Sequence, residues 1–439
     1  MPSFLCHRID SLHSALLVII IALLLISGCQ NGAALVDPSD PPPSQLADNH
    51  QPALSSGSTT QQATATDDPL VLWVPPFFTI NTTDRADAVL AAALAEFAPT
   101  PTGSSVTLVP KAERGPAGLL AYLLTTQQAA PILLPDIVLL NSFDLVRAAG
   151  AGIVPPLSAE ESAPFGGISP AILTSAQIDN QLYGLPFVAN LEHLVYQKER
   201  LAAPPATWGE LLAQDKRLLF AGGTVDDYSL SFAWTLYLVG GGGLDGEGNL
   251  TSPQVMERVF DFLAAGKQAG LIPEAALTLS SPQAVWTFFV NGDAEMAVVP
   301  ARLYHNQQAE ADSIRFAPLP TLDGEPRTVV TSWSFAVVTQ EPARRQRALA
   351  LLQQLFAPHI QGEWSSSARQ VPTQSDAFAY WDASDPYTLF LQELLRNSVA
   401  APNLRAFNEL NQSLQQGQRA LLTGELSPQQ VLEMLPFRP

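Results

Sequence analysis

Aromatic, amide and charged side chains follow the ends of several apolar runs in the sequence. The first candidates, each a few residues beyond such a run, are Phe77, Asn141, Asp144, Arg302 and Tyr304. In open α/β sheets, the groups that contact a ligand come from loops beyond the carboxyl ends of strands. Aromatic rings stack on flat apolar faces, while amides, carboxylates and guanidinium groups orient polar ones. These residue types suit non-covalent recognition of a small polar molecule, and none of them signals a catalytic group.

Strands and helices alternate through the part of the chain that must position these side chains. Short apolar runs predict strands at residues 70–74, 105–109, 136–140, 294–299 and 334–338. A helical period predicts helices at residues 86–97, 118–127, 208–213, 229–238, 252–268, 282–291 and 342–356, and a mostly helical tail at 386–435, with helix caps at Asp385 and Ser427. Such alternation predicts an α/β fold around a parallel sheet with both faces covered. Trp234 and Trp286 lie in apolar helical patterns and are predicted to pack in the core.

The N-terminal segment predicts export. Arg8 precedes an apolar run at residues 15–26, which stops at Ser27-Gly28-Cys29. This order is typical of a secretory signal, and the run is short for a membrane span, which needs roughly 20 apolar residues. Its ending resembles the bacterial lipobox, in which the cysteine is acylated. We therefore expect residues 1–28 to be a lipoprotein signal peptide and Cys29 to carry a lipid that anchors the protein outside the cytoplasm; an uncleaved anchor helix is the alternative.

Residues 29–69 are rich in Pro, Ser, Thr and Gln and lack an apolar period, which predicts a disordered tether. The chain contains two cysteines, Cys6 and Cys29, and Cys6 lies in the predicted signal peptide. The mature chain is therefore expected to form no internal disulfide, and its stability must come from a large core.

Composition and motifs argue against several functional classes. A net charge of −19 is unfavourable for binding a phosphate backbone, so no nucleic-acid partner is expected. The chain has neither a Gly-x-Ser-x-Gly nor a His-Glu-x-x-His motif, and we expect no metal and no cofactor. Residues 241–246 match a dinucleotide-binding spacing by letter, but they follow a helical pattern and predict a helix end and turn. Paired carboxylates acting on a glycoside stay open as an alternative.

Four segments, in a fixed order, resemble the extracellular solute-binding proteins, the family that includes the maltose-binding and other sugar-binding proteins. They are residues 135–141 with 151–157; 181–187 with 194–201 and 205–212; 288–298; and 316–320 with 332–338. The most specific is the second, in which QLYGLPF resembles a crossing between lobes, followed by an edge strand and the PATW start of a helix. Thr207 and Glu210 have capping-box spacing at that helix, which supports the assignment independently. Together the segments cover nearly all of residues 70–380.

The resemblance implies a two-lobe, periplasmic-binding-protein-like fold of type II, with hinge strands and a ligand cleft between the lobes. We expect lobe 1 to comprise residues 70–184 and 286–327, and lobe 2 to comprise residues 185–285 and 328–439. Asn190 and Glu192 after the first crossing and Trp333 before Ser334 join the candidate ligand-binding residues. Structural alternatives are a wedge between the lobes for Trp333, and a loop-capping or solvated role for Asn141 and Glu192.

The resemblance also implies a monomer that captures a small-molecule solute, in particular a carbohydrate, and delivers it to the permease subunits of an ABC transporter. One departure concerns residues 300–304, where PARLY stands in place of an aromatic residue that the family often places in the cleft. A guanidinium can donate two parallel hydrogen bonds to a carboxylate or phosphate, so Arg302 deep in the cleft would favour an anionic solute. A sensor lipoprotein that signals to a receptor is a further alternative.

Overall fold

The computed structural model describes residues 68–81, 84–223, 230–245, 247–307, 313–402 and 407–437. The predicted signal peptide, Cys29 and almost all of the predicted tether lie outside these residues.

Strands and helices alternate as the sequence predicts. The strands are β1 (Leu70–Val74), β2 (Val106–Pro110), β3 (Ile137–Asn141), β4 (Gln177–Ile178), β5 (Gln181–Leu182), β6 (Leu185–Gln197), β7 (Leu218–Leu219), β8 (Met296–Pro300), β9 (Ile314–Ala317), β10 (Thr328–Val337), β11 (Val371–Pro372) and β12 (Ser398–Ala400). The helices are α1 (Arg85–Phe97), α2 (Leu119–Ala129), α3 (Ser142–Gly150), α4 (Ala159–Ser162), α5 (Pro170–Thr174), α6 (Trp208–Leu212), α7 (Phe232–Val239), α8 (Pro253–Gln268), α9 (Pro282–Val290), α10 (Ala301–Gln307), α11 (Pro342–Leu355), α12 (Pro358–Ala368), α13 (Pro386–Arg396), α14 (Phe407–Thr423) and α15 (Pro428–Glu433). The predicted α/β fold class is confirmed.

Two long strands, β6 and β10, hold the main sheet together. The strand order is β2-β1-β3-β10-β6-β8-β7. The pairs β1–β2, β1–β3 and β7–β8 are parallel, whereas β10 runs antiparallel to both β3 and β6. Residues 185–191 of β6 pair with β10, and residues 192–197 pair with β8 and β9. Because β8 and β9 flank residues 194–197, the expectation of an edge strand there is wrong.

Strand β10 begins at Thr328, six residues before the predicted start at 334. Its first residues, 328–330, pair in parallel with β12, and residues 330–335 pair with β6. These partners are distant in sequence, so the apolar pattern of the segment alone could not reveal them. Trp333 therefore lies within the strand rather than before it.

Local capping chemistry fixes several helix starts. The Thr207 side chain accepts a hydrogen bond from the Glu210 backbone, and the Glu210 side chain accepts one from Thr207 in return, which confirms the capping box at α6. Asp385 caps α13 and Ser427 caps α15, both as predicted. The turn after α7 begins at Gly240, and Gly241 has a φ of 88°, which confirms a helix end in the glycine-rich segment.

The core surrounds the sheet on both faces. Trp234 and Trp286 are buried in it, as predicted. Helix α12 packs on α1, a contact that joins segments which the predicted boundaries assign to different lobes. Those boundaries stay a prediction, since strand pairing alone does not divide the chain. Within the described ranges, no helix combines the length and the apolar character that a membrane span requires.

Candidate functional site

A cavity of about 390 Å³ opens where β6 and β10 lie side by side. Its walls come from the loop after β2, the start of α3, the middle of β6, α7, and the turn from β8 into α10. Five of the predicted site residues line it: Asn141, Asn190, Glu192, Arg302 and Trp333. Polar and apolar groups are mixed in the lining, as in sites that bind small polar ligands.

The two central strands present alternating side chains to the cavity. Asn190 and Glu192 lie two residues apart on β6, and Thr331 and Trp333 have the same spacing on β10, so each pair shares one face of its strand. Asn190 and Thr331 are register partners, and the Asn190 Nδ2 donates a hydrogen bond to Thr331 Oγ1 over 3.2 Å. This bond orients the amide. The two candidate residues on β6 therefore lie within a strand, not in a loop beyond its end.

Trp333 is supported from the side by Phe77. The Trp333 and Phe77 ring centroids are 5.2 Å apart with ring planes at 81°, an edge-to-face arrangement. Phe77 is half-buried and is not part of the cavity wall, but the Arg302 guanidinium carbon lies 5.9 Å from its ring centroid. Phe77 therefore packs between two residues that do line the cavity.

Arg302 faces a carboxylate across the cavity. Its Nη1 lies 3.5 Å from Glu113 Oε1, and both side chains are partly exposed. Glu113 follows β2 by three residues, so the carboxyl-end rule that selects Asn141 also selects Glu113, although it is not among the predicted site residues. Arg114 and Thr331, which also line the cavity, were missed as well.

Asn141 and Asp144 form a reciprocal cap at the start of α3. The Asp144 backbone donates to Asn141 Oδ1 over 3.0 Å, and Asn141 Nδ2 donates to Asp144 Oδ2 over 2.8 Å. Asn141 lines the cavity, whereas Asp144 is buried behind it and does not. Burial raises the pKa of Asp144 to about 6, an effect opposed by the Asn141 hydrogen bond and by the charges of Arg147 and Arg114.

Tyr304 lies away from the cavity. It is buried in an aromatic cluster, with ring centroids 4.7 Å from Tyr387, 5.6 Å from His193 and 5.7 Å from Phe316. Helix α10 begins at Ala301, so Arg302 and Tyr304 are two positions apart on a helix and point to different sides of it. Tyr304 therefore does not line the cavity with Arg302, and the prediction that it does is corrected here.

Glu192 has a distinctive electrostatic environment. It is half-buried against the cavity, and its carboxylate makes no hydrogen bond or ion pair with any residue in the described ranges. Burial raises the pKa of Glu192 to about 7. Burial thus holds the pKa of this cavity carboxyl well above that of an exposed glutamate.

A second groove, of about 630 Å³, lies beside the turn of the β4–β5 hairpin and the glycine-rich turn after α7. Its lining contains no aromatic side chain among the described residues. Within that turn, Asp245 Oδ1 accepts backbone hydrogen bonds from Glu247 and Asn249, so its oxygen is already used by the loop. The described residues include no group of three or more His, Cys, Asp or Glu side chains placed to hold a metal ion. The first cavity is the better candidate site.

Solved structures share this fold at low sequence identity. The cyclic α-maltosyl-1,6-maltose binding protein from Arthrobacter globiformis is 18% identical, with a TM-score of 0.67 over 84% of this chain and 97% of that one. The sugar-binding protein MalE from Xanthomonas citri is 18% identical, with a TM-score of 0.66 over 83% and 95%. The maltose/maltodextrin-binding domain from Bdellovibrio bacteriovorus, bound to maltotriose, is 20% identical, with a TM-score of 0.61 over 84% and 97%. The predicted two-lobe, binding-protein-like fold is confirmed.

Sequence comparison gives the family. No curated protein matches the chain. The family model for bacterial extracellular solute-binding proteins matches residues 92–418, which is most of the chain and includes both central strands of the cavity. The chain belongs to the family of bacterial extracellular solute-binding proteins.

Proposed function

We propose that the protein captures a carbohydrate in the cavity between β6 and β10 and releases it chemically unchanged. The observation that carries this proposal is that Trp333 and Thr331 on β10 line the cavity together with Asn190, the register partner of Thr331 on the adjacent strand β6. A half-buried indole offers a flat surface to the apolar face of a sugar, and the amide and hydroxyl beside it can hydrogen-bond to sugar hydroxyls. The sugar-binding proteins that share the fold support the same ligand class.

Capture relies on closure of two lobes around the solute. Strands β6 and β10 run through the junction, so bending within them would move the loop after β2 relative to the turn after β8. A ligand that contacts both walls stabilises the closed form because it makes more contacts there than in the open form. The lobe boundaries given above are part of this proposal, and so is the absence of catalysis.

Delivery requires a location outside the cytoplasm and a partner in the membrane. We place the mature protein at the cell membrane, held by a lipid on Cys29 through the tether at residues 29–69. The closed form would then dock, as a monomer, on the permease subunits of an ABC importer. The support is the lipobox-like sequence together with the family assignment.

An anionic solute is less well supported. Arg302 lines the cavity, but Glu113 faces its guanidinium at 3.5 Å. A ligand carboxylate or phosphate would have to compete with Glu113 for the same donors and would approach a like charge.

A thermal-shift screen of the purified protein tests the proposal. Neutral oligosaccharides, polyols, sugar phosphates and amino acids are compared, because a ligand that binds only the folded state raises the melting temperature by an amount that grows with the logarithm of its concentration relative to its dissociation constant. A carbohydrate should raise it, and small-angle scattering with the same carbohydrate should show compaction. The sugar assignment is lost if no carbohydrate shifts the melting temperature or if another solute class does so instead. Unaltered ligand recovered after incubation supports binding without turnover.

A further inference from the structure

A small recess opens from the cavity beneath Glu192. Its volume is about 30 Å³, and the remaining lining residues are Phe220, Ala221, Leu230, Phe232, Pro282 and Val298. A group the size of a water molecule occupies roughly 10–15 Å³ by the same kind of measure, so the recess admits one small head group and no sugar ring. Glu192, Leu230 and Pro282 line both spaces, which makes the recess a side chamber of the ligand cavity.

Among the described residues that line the recess, Glu192 alone has a polar side chain. The six other lining residues have apolar side chains, and the rings of Phe220 and Phe232 are stacked with centroids 4.3 Å apart. A carboxyl group without a partner in such surroundings is costly to ionise. A ligand group that donates hydrogen bonds would remove this cost.

Charge pairing in the cavity favours a cationic donor. Within the part of the chain that the structure describes, four charged side chains line the cavity: Glu113, Arg114, Glu192 and Arg302. Arg302 faces Glu113, and Arg114 interacts with the buried Asp144. Glu192 is left without an opposite charge among the described residues. Aromatic rings next to a carboxylate form surroundings that stabilise an ammonium group.

We propose that the recess determines specificity by binding a primary ammonium group of the solute against Glu192, beside the stacked rings of Phe220 and Phe232. This inference rests on the proposed function and narrows the ligand class to carbohydrates that carry a free amine. The sugar ring would occupy the main cavity beside Trp333, while its amino group would enter the recess.

Binding of an ammonium group couples affinity to pH. The charged groups that share the cavity are Arg302 on α10 and Glu113 and Arg114 after β2; His193 follows Glu192 on β6 but points to the opposite face, where it bonds to Tyr387. The recess residues from α7 and α9, Phe232 and Pro282, carry no charge. Because burial raises the pKa of Glu192 to about 7, the free protein must release a proton to pair with the ammonium at lower pH. Affinity should therefore fall by about tenfold for each pH unit below 7.

Calorimetric titration with matched ligands tests the inference. Glucosamine oligosaccharides, their N-acetylated counterparts, maltotriose and the diamine cadaverine are titrated into the wild-type protein and into Glu192→Gln. The wild type is expected to prefer the free amine over the N-acetyl form by at least about tenfold, since acetylation removes the charge. Glu192→Gln should lose both this preference and the pH dependence. Glu257→Gln, which changes an exposed carboxylate of α8 that does not line the cavity, should retain both.

The outcomes separate the inference from the proposed function. If maltotriose binds and amines bind no better than their acetylated forms, the recess proposal is overturned while carbohydrate capture stands. If cadaverine binds in a manner that depends on Glu192 and no carbohydrate binds, the ammonium site is supported and the carbohydrate assignment fails. Retention of amine preference by Glu192→Gln overturns the assignment of the site to Glu192. Phe232→Leu provides a second variant, expected to weaken amine binding while leaving Glu192 in place.

Discussion

The rings of Trp333 and Phe77 meet edge to face, with centroids 5.2 Å apart, and connect the middle of β10 to the loop after β1. Trp333 lines the cavity, and Phe77 packs against the Trp333 ring from outside the cavity. The two residues are far apart in the sequence, yet Phe77 supports the ring that Trp333 contributes to the cavity wall. The contact leaves the indole partly exposed on the side where a ligand would lie.

Replacing Trp333 with Ala is expected to weaken carbohydrate binding by about 1–3 kcal/mol, because a stacked aromatic anchor is lost. Isothermal titration measures the change in affinity, and circular dichroism checks that the fold is retained. Trp381→Phe serves as a control, since Trp381 is buried away from the cavity and keeps an aromatic ring. An affinity equal to that of the wild type would exclude Trp333 from the binding surface.

Replacing Glu113 with Gln should release Arg302 from its facing carboxylate. A charge-assisted hydrogen bond contributes about 1.5 kcal/mol or more, so affinity for a sugar phosphate should rise by about tenfold, with a much smaller change for the neutral sugar. Titration of both ligands measures this. The double variant Glu113→Gln/Arg302→Gln should lose the gain. Tight binding of sugar phosphates by the wild type would contradict the pairing argument and revive the anionic-solute alternative.

Local signals in the sequence predicted the features that depend on neighbouring residues. The capping box of Thr207 and Glu210 requires residues three positions apart, and the structure confirms it. Asn141 was found because it ends a buried strand, and Trp234 because it lies in a mostly apolar helical segment. Each of these three features depends only on residues within one turn, one helix or one strand.

Features that depend on long-range packing were missed or misplaced. Thr331 reaches the cavity because β10 extends back to Thr328, which its pairing with β6 and β12 determines. Tyr304 was misplaced because the turn of α10 after Ala301 separates it from Arg302. The recess brings together Glu192 on β6, Phe232 on α7 and Pro282 on α9. No spacing in the sequence predicts that these three residues meet.

Replacing Cys29 with Ser should abolish acylation if the lipobox assignment is right, because serine has no thiol to accept the lipid. The protein would then be recovered without incorporation of labelled fatty acid. Cys6→Ser, which leaves the proposed acceptor in place, should still be labelled. Persistent labelling of Cys29→Ser would contradict the proposed anchor.

The Arg344 side chain connects the segment directly before β1 to Asp136, which directly precedes β3. Its Nε and Nη2 donate to the two carboxylate oxygens of buried Asp136 over 2.7 and 2.6 Å, and the same guanidinium binds Asp68 and the Pro69 carbonyl. Arg344→Met would leave the Asp136 carboxylate buried without its partner, so the free energy of unfolding should fall by about 2–4 kcal/mol. Arg396→Met, at an exposed pair with Glu393, should cost no more than about 1 kcal/mol. Urea unfolding midpoints measure both, and equal losses would contradict the difference in burial.

Asp144 should make the protein less stable as the pH rises. Burial raises its pKa from 3.8 to about 6 in the folded state, so between these values the folded protein holds more protons than the unfolded chain. Its stabilising contribution is complete below pH 3.8 and is lost as the pH rises through 6; two pKa units correspond to about 3 kcal/mol.

Asp144→Asn removes this titration while keeping an oxygen that can accept from Asn141 Nδ2. Relative to the wild type, the variant should therefore gain about 2–3 kcal/mol in its free energy of unfolding between pH 4 and pH 8. His193 acts in the opposite direction, because burial lowers its pKa to about 4 and its contribution is lost as the pH falls below 6.5. Both proteins contain His193 and Glu192, so their effects cancel in the difference. Urea unfolding at pH 4, 6 and 8 measures the change, and parallel stability curves for the two proteins would show that Asp144 does not titrate in this range.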